Sequence, residues 1–103
     1  MYTYRAELVR CIDGDTAIFD VDLGFKVSIR IRGRLLKVDT PNRGEPDHDV
    51  ATAALENLLE INKDDKGYVT IMTSKTGMYG RWLIDITGVN SVLAERWPYV
   101  SGK

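Results

Sequence analysis

The chain has 103 residues, a length that suits one hydrophobic core and argues against two self-sufficient halves. A hydrophobic content of 44% and a charged content of 28% exclude disordered and fibrous classes. The formal net charge of −1 excludes the global basic field of a strongly cationic nucleic-acid binder, so any recognition of phosphate has to be local.

Residues 3 to 12 fit a first strand with Leu8, Val9, Cys11 and Ile12 partly buried. Asp13-Gly14-Asp15-Thr16 then predicts a tight turn, because glycine accepts positive φ without a Cβ clash. A second strand runs from Thr16 to Val21 and Asp22-Leu23-Gly24 turns again. Lys26 to Ile31 predicts a third strand, with Val27, Ile29 and Ile31 inward and Ser28, Arg30 and Arg32 outward. Arg30, Arg32 and Arg34 stand at alternate positions and therefore form a basic stripe on one strand face. Gly33 interrupts the alternation, which predicts a bulge or a barrel corner. Arg34 and Asp39 are an odd number of residues apart, so they can converge only if the chain bends or the strand ends between them.

Pro41, Gly44 and Pro46 keep residues 41–47 irregular. Asp47 or Asp49 is expected to cap a helix whose apolar positions are Val50, Ala51, Ala54, Leu55, Leu58 and Ile61, ending near Asn62. After a polar turn at 63–67, a short strand is expected from Tyr68 to Met72, then a loop from Ser74 to Gly80 and a strand from Trp82 to Thr87. Asn90 is expected to cap a short helix over Ser91 to Arg96, and Trp97 to Val100 to pack as an extended tail. Three strands, a helix, two more strands and a terminal helix predict a single domain over residues 1–103, mainly β with α. Its expected form is a five-stranded OB-fold barrel with a helix inserted after strand 3 and a short C-terminal helix.

The single cysteine, Cys11, forbids an intrachain disulfide and reads as a small core residue, and the single histidine, His48, excludes a His-rich metal site. No apolar run approaches a membrane span and the first residues lack the apolar segment of a signal peptide, so a cytoplasmic chain without membrane attachment is expected.

Two constellations could carry chemistry. Asp13 and Asp15 in the first hairpin, and Asp39 with Thr40 beside the third strand, are oxygen donors of the kind hard divalent cations take, although aspartates in turns serve equally as turn formers. Arg34 and Arg81 present planar forks that match phosphate oxygens, or else pair with a nearby carboxylate or solvent.

Four separated motifs occur in order: Ile12-Asp13-Gly14-Asp15-Thr16, then Arg34 to Pro41 reading RLLKVDTP, then Tyr79-Gly80-Arg81, and Val89-Asn90 before a short helix. Together they resemble the staphylococcal nuclease family over almost the whole chain. The resemblance implies an OB barrel and a calcium-dependent phosphodiesterase acting on single-stranded or frayed DNA and RNA, here expected as a monomer. It makes Asp15 and Asp39 calcium-ligating carboxylates, has Thr40 offer its backbone carbonyl, and gives Arg34 and Arg81 the phosphate. Tyr79 is the aromatic residue placed to touch a nucleotide.

At one position the chain departs from the family motif, which continues Asp-Thr-Pro-Glu, whereas this chain has Asn42. An amide cannot accept a proton at neutral pH, so the contribution of a general base, about 10²–10⁴-fold, is missing from that side chain. Asn42 can still orient a water, and Glu45, three residues on, is the carboxylate that could replace the base, with Asp47 a poorer second choice. The expected function is therefore a nuclease-like phosphodiesterase weakened at Asn42, or, alternatively, a catalytically inactive module binding nucleic acid or protein.

Overall fold

Twelve residues from Tyr2 to Asp13 form β1, the longest strand of the barrel. The computed structural model describes residues 2–76 and 81–99. The other elements are β2 (Thr16–Asp22), β3 (Ser28–Leu35), α1 (His48–Asn62), β4 (Tyr68–Thr76), β5 (Trp82–Ile86) and α2 (Asn90–Arg96). The strands close in the order β1-β2-β3-β5-β4, antiparallel except for β3 beside β5, which gives an OB-like mixed barrel with two short helices. No described helix is long and apolar enough to cross a membrane.

The interior is filled from every wall. Ala6, Phe19, Val21, Ile31, Leu35, Ile71, Ile84 and Ile86 point inward from the strands, and Leu55, Leu59, Val89 and Leu93 cover the barrel from the helical segments. Burying the larger of these side chains contributes about 1.5–3 kcal/mol each, which is what holds the strands against their conformational entropy.

Several expectations change for reasons of packing. Val9 is not buried: it lies at a register shift between Leu8 and Arg10, where the strand gains a residue and turns it outward. In the third strand Val27 and Ile29 are half exposed, and only Ile31 is buried. β3 pairs with β5 only over Gly33–Leu35, so its first residues border an open apolar hollow shared with Tyr4, Val21, Leu23 and Trp82. Gly33 makes no bulge in the β2–β3 ladder. A Cβ there would sit 2.5 Å from the Ile84 side chain, so the glycine lets β5 approach.

Gly14 likewise has no positive φ; its missing Cβ makes room for α1, since that atom would lie 2.7 Å from Ala51 Cβ and 2.8 Å from the Ala51 backbone. The helix buries Ala51, Leu55 and Leu59, leaving Val50 and Ile61 exposed. It starts after Asp47, which adopts a left-handed conformation (φ 67°) and makes no side-chain cap bond. β4 extends four residues beyond the expected end, to Thr76.

Asn90 is the sharpest correction. It caps nothing with its side chain; it is buried, accepts the Ile86 amide hydrogen at 2.9 Å, and donates to the carbonyls of Leu36 at 3.0 Å and Ile84 at 3.1 Å. One side chain thus joins the end of β5 to the turn after β3.

Gly14→Ala should lower stability by about 1–3 kcal/mol, because the atoms it meets include helix backbone and cannot move aside as a flexible side chain would. Urea denaturation measures this directly, and an unchanged midpoint would show that the hairpin and helix can separate without loss.

Candidate functional site

The turn between β1 and β2 carries Asp15 into the protein, where its side chain is almost wholly enclosed. A buried carboxylate needs partners to offset its lost hydration. Here Oδ1 accepts from the Thr16 hydroxyl and Oδ2 from the Thr40 amide, both at 3.0 Å, while the Arg34 guanidinium stands 3.5 Å from Oδ2. The Asp15 carbonyl also accepts the Leu35 amide at 2.8 Å, so the hairpin and the end of β3 are tied through main chain as well.

β3 ends at Leu35 and the chain reverses through Lys37, which has φ of +64°. This reversal removes the parity problem between Arg34 and Asp39: Arg34 Nη2 lies 3.8 Å from Asp39 Oδ1. Nη1 of Arg34 turns back to donate to the carbonyls of Leu35 and Val38, so one guanidinium closes the turn and faces two carboxylates. The C-terminal tail holds the turn from its other side. Val38 bridges Pro98, the Asp39 amide donates to Trp97 O at 2.9 Å, and the Tyr99 amide donates to Lys37 O at 3.1 Å.

The Thr40 hydroxyl is a buried oxygen with no hydrogen-bond partner among the described residues. Asp15, Arg34, Asp39 and Thr40 therefore gather in one place as two carboxylates, one guanidinium and an unsatisfied hydroxyl, with a formal charge of −1. The donor set is all oxygen, which suits a hard cation such as calcium. Among the described residues no trio of histidine, cysteine, aspartate or glutamate assembles, so carbonyls, the hydroxyl and water would have to complete a coordination shell.

Asn42 and Glu45 follow on an exposed turn. The Asn42 amide donates to Glu45 Oε1 at 2.9 Å and the Glu45 amide returns a bond to Asn42 O at 2.9 Å. The Glu45 carboxylate is thus folded back onto residue 42. Arg81 directly precedes Trp82, which pairs with Gly33, so it stands two positions before Leu83, the residue level with Arg34. Tyr79 lies outside the described residues.

Asp13 does not join Asp15. It turns to His48, the first residue of α1, with Oδ1 2.8 Å from Nε2, while Nδ1 of the same ring lies 3.2 Å from Asp49. Single-sequence reasoning had no signal for this contact, which links residues 35 apart. Cys11 packs against the core edge, and burial followed by the charge of Glu56 pushes its thiol up to about 12, so it is chemically quiet.

None of the protein-family models matches the chain, and no curated protein matches it.

The His48 pKa is raised above its ordinary value by the bond to Asp13 first and to Asp49 second, against a smaller opposing effect of burial. A raised folded-state value contributes stability in full below the unfolded pKa of about 6.5 and loses it as pH climbs through the folded value. The difference in Tm between the native chain and His48→Gln should therefore shrink as pH rises from about 6 to about 8. A difference that stays constant across that range would mean that the contact carries no proton-linked stability.

Proposed function

We propose that the protein is a calcium-dependent phosphodiesterase of DNA or RNA, with Asp15, Asp39 and the Thr40 carbonyl as cation ligands and Arg34 and Arg81 as phosphate ligands. The observation that carries this reading is the convergence of Asp15 and Asp39 on the Arg34 guanidinium, with the Thr40 amide bonded to Asp15. Two carboxylates facing a single guanidinium leave net negative charge for a cation, and the guanidinium stays charged at any working pH to meet a phosphate. Bound calcium would supply electrostatic stabilisation of the charge that builds on phosphorus during attack by water.

The chain's own residues divide the remaining work. Arg34 and Arg81 neutralise non-bridging oxygens, and the enclosed Asp15 keeps Arg34 from swinging freely. Glu45 is the base: its carboxylate rests at the main chain of residue 42, where the motif's glutamate would stand, and can take the proton of the attacking water. Asn42 contributes an amide able to hold that water by hydrogen bonding.

A second reading has its own observation. The Glu45 carboxylate already accepts the Asn42 amide on an exposed turn, and a base committed to closing its own turn favours a module that binds nucleic acid without turning it over.

Release of acid-soluble nucleotide from single-stranded DNA, with calcium and then with chelator, separates the two. Calcium-stimulated release is expected; binding without release at high enzyme concentration would select the second reading. Asn42→Glu should raise the rate toward the full contribution of a positioned base, about 10²–10⁴-fold, and a flat rate would show that the base is already supplied. Glu45→Gln should abolish hydrolysis in the native background; unchanged turnover would remove Glu45 from the mechanism. Calcium should also raise Tm by ligand linkage, and Asp15→Asn should remove that rise. A Tm indifferent to both calcium and a nucleoside bisphosphate would leave the domain a purely structural one.

A further inference from the structure

Two arginines of different strands share one row of the barrel's outer face. Arg10 of β1 pairs with Ile18 of β2, and Ile18 pairs with Arg32 of β3. Paired residues on neighbouring strands point to the same side, so Arg10, Ile18 and Arg32 stand together. The register shift at Val9 is what brings Arg10 to this face: Leu8 faces the Phe19 side of the sheet, and one extra residue reverses the parity. Arg81 precedes Trp82, the partner of Gly33, so the parallel register carried on by one residue would set it opposite Arg32.

The adjoining levels differ in character. Farther from the Asp15 turn, Glu7 faces Asp20 and Asp20 faces Arg30, whose guanidinium is engaged by that carboxylate at 2.8 and 3.1 Å. Nearer the turn, Thr16 pairs with Arg34, the residue of the candidate site. Arg10, Arg32 and Arg81 have no ion pair or hydrogen bond among the described residues, and Arg10 and Arg32 are exposed. Strand spacing puts Arg10 and Arg32 about 10 Å apart across the sheet, and Arg32 about 7 Å along its strand from Arg34.

We propose that this row is a track for the sugar-phosphate backbone of a single polynucleotide strand, with Arg10 and Arg32 holding phosphates next to the one at Arg34. The last clause rests on the phosphodiesterase reading of the site; the track itself does not. Guanidinium forks match phosphate oxygens, and a flexible single strand can set successive phosphates at Arg10, Arg32 and Arg34. The row is one residue wide and bounded by Glu7 and Asp20. A flat anionic surface such as a membrane would press against those carboxylates as well, whereas a single strand fits between them and the candidate site. Ile18, half-buried at the centre, offers an apolar seat for a sugar or base. This local arrangement lets a chain of net charge −1 hold a polyanion.

The test is fluorescence anisotropy of a labelled single-stranded DNA of about twelve nucleotides, in chelator, across a salt series, where each phosphate contact contributes about −0.7 to the slope of log K against log salt. Arg10→Gln and Arg32→Gln should each make the slope shallower by about 0.7 and the affinity weaker at low salt, and Arg32→Lys should keep the native slope. Asp20→Asn, which releases Arg30 beside the row, should tighten binding and steepen the slope by a similar amount, about 0.7. Slopes for both glutamine variants equal to that of the native chain, or no binding at low salt, would overturn the track. Chelator removes the calcium chemistry from this assay. Reduced slopes alongside absent calcium-stimulated hydrolysis would retain the track and reject the phosphodiesterase reading, and hydrolysis with unchanged slopes would reject the track alone.

Discussion

The candidate site depends on one buried charge. Asp15 sits where water cannot solvate it, and a carboxylate in that position is tolerated only with donors on both oxygens. Thr16, Thr40 and Arg34 supply them, and each comes from a different part of the chain: the following residue, the turn beyond β3, and β3 itself. Satisfying one group therefore fixes the hairpin, the strand end and the reversal at Lys37 relative to each other. The same constraint brings Asp39 to the far side of Arg34.

The other half of the support comes from beyond the barrel. Asn90 reaches the Leu36 carbonyl from the start of α2, and the segment after that helix runs beside residues 37–39 with main-chain bonds. The turn carrying Asp39 and Thr40 is thus held between the first hairpin and the C-terminal segment. Asn42 and Glu45 follow immediately, yet stand exposed, joined by their reciprocal bonds and by the His48 amide, which donates to the Glu45 carbonyl at 3.3 Å. Preorganisation is concentrated on the groups that would bind a cation and a phosphate, and is weaker on those that would move a proton.

Charge on the outer face is sorted by pairing as much as by composition. Arg30 and Arg32 are adjacent members of one stripe, but a carboxylate across the ladder engages the first and an isoleucine faces the second. Arg5 is likewise engaged, 2.8 Å from Asp64 and stacked on Tyr68. Only register tells which cations remain available to a ligand, and a near-neutral total conceals a local field.

How much of this was legible from the residues can be argued element by element. Alternation and turn chemistry determined the order of strands and helices, the outward stripe of Arg30, Arg32 and Arg34, and the gathering of acidic and basic groups around residues 34–40, because these depend on neighbours a few residues away. The fate of Val27 and Ile29 was not legible, since burial depends on whether β5 covers that end of β3. Gly14 and Gly33 read as backbone punctuation and proved to be gaps for Ala51 and Ile84. Asn90 read as a cap and proved to be a staple to a carbonyl 54 residues away. His48 met Asp13 only through the packing of α1 on the first hairpin, and Arg10 came into line with Arg32 only through the register of β2 between them. Local sequence determined which residues could act and which way their strands would face them; long-range register and packing decided which of them meet, because a side chain's partner is set by the strand that pairs beside it and not by its own chain neighbours.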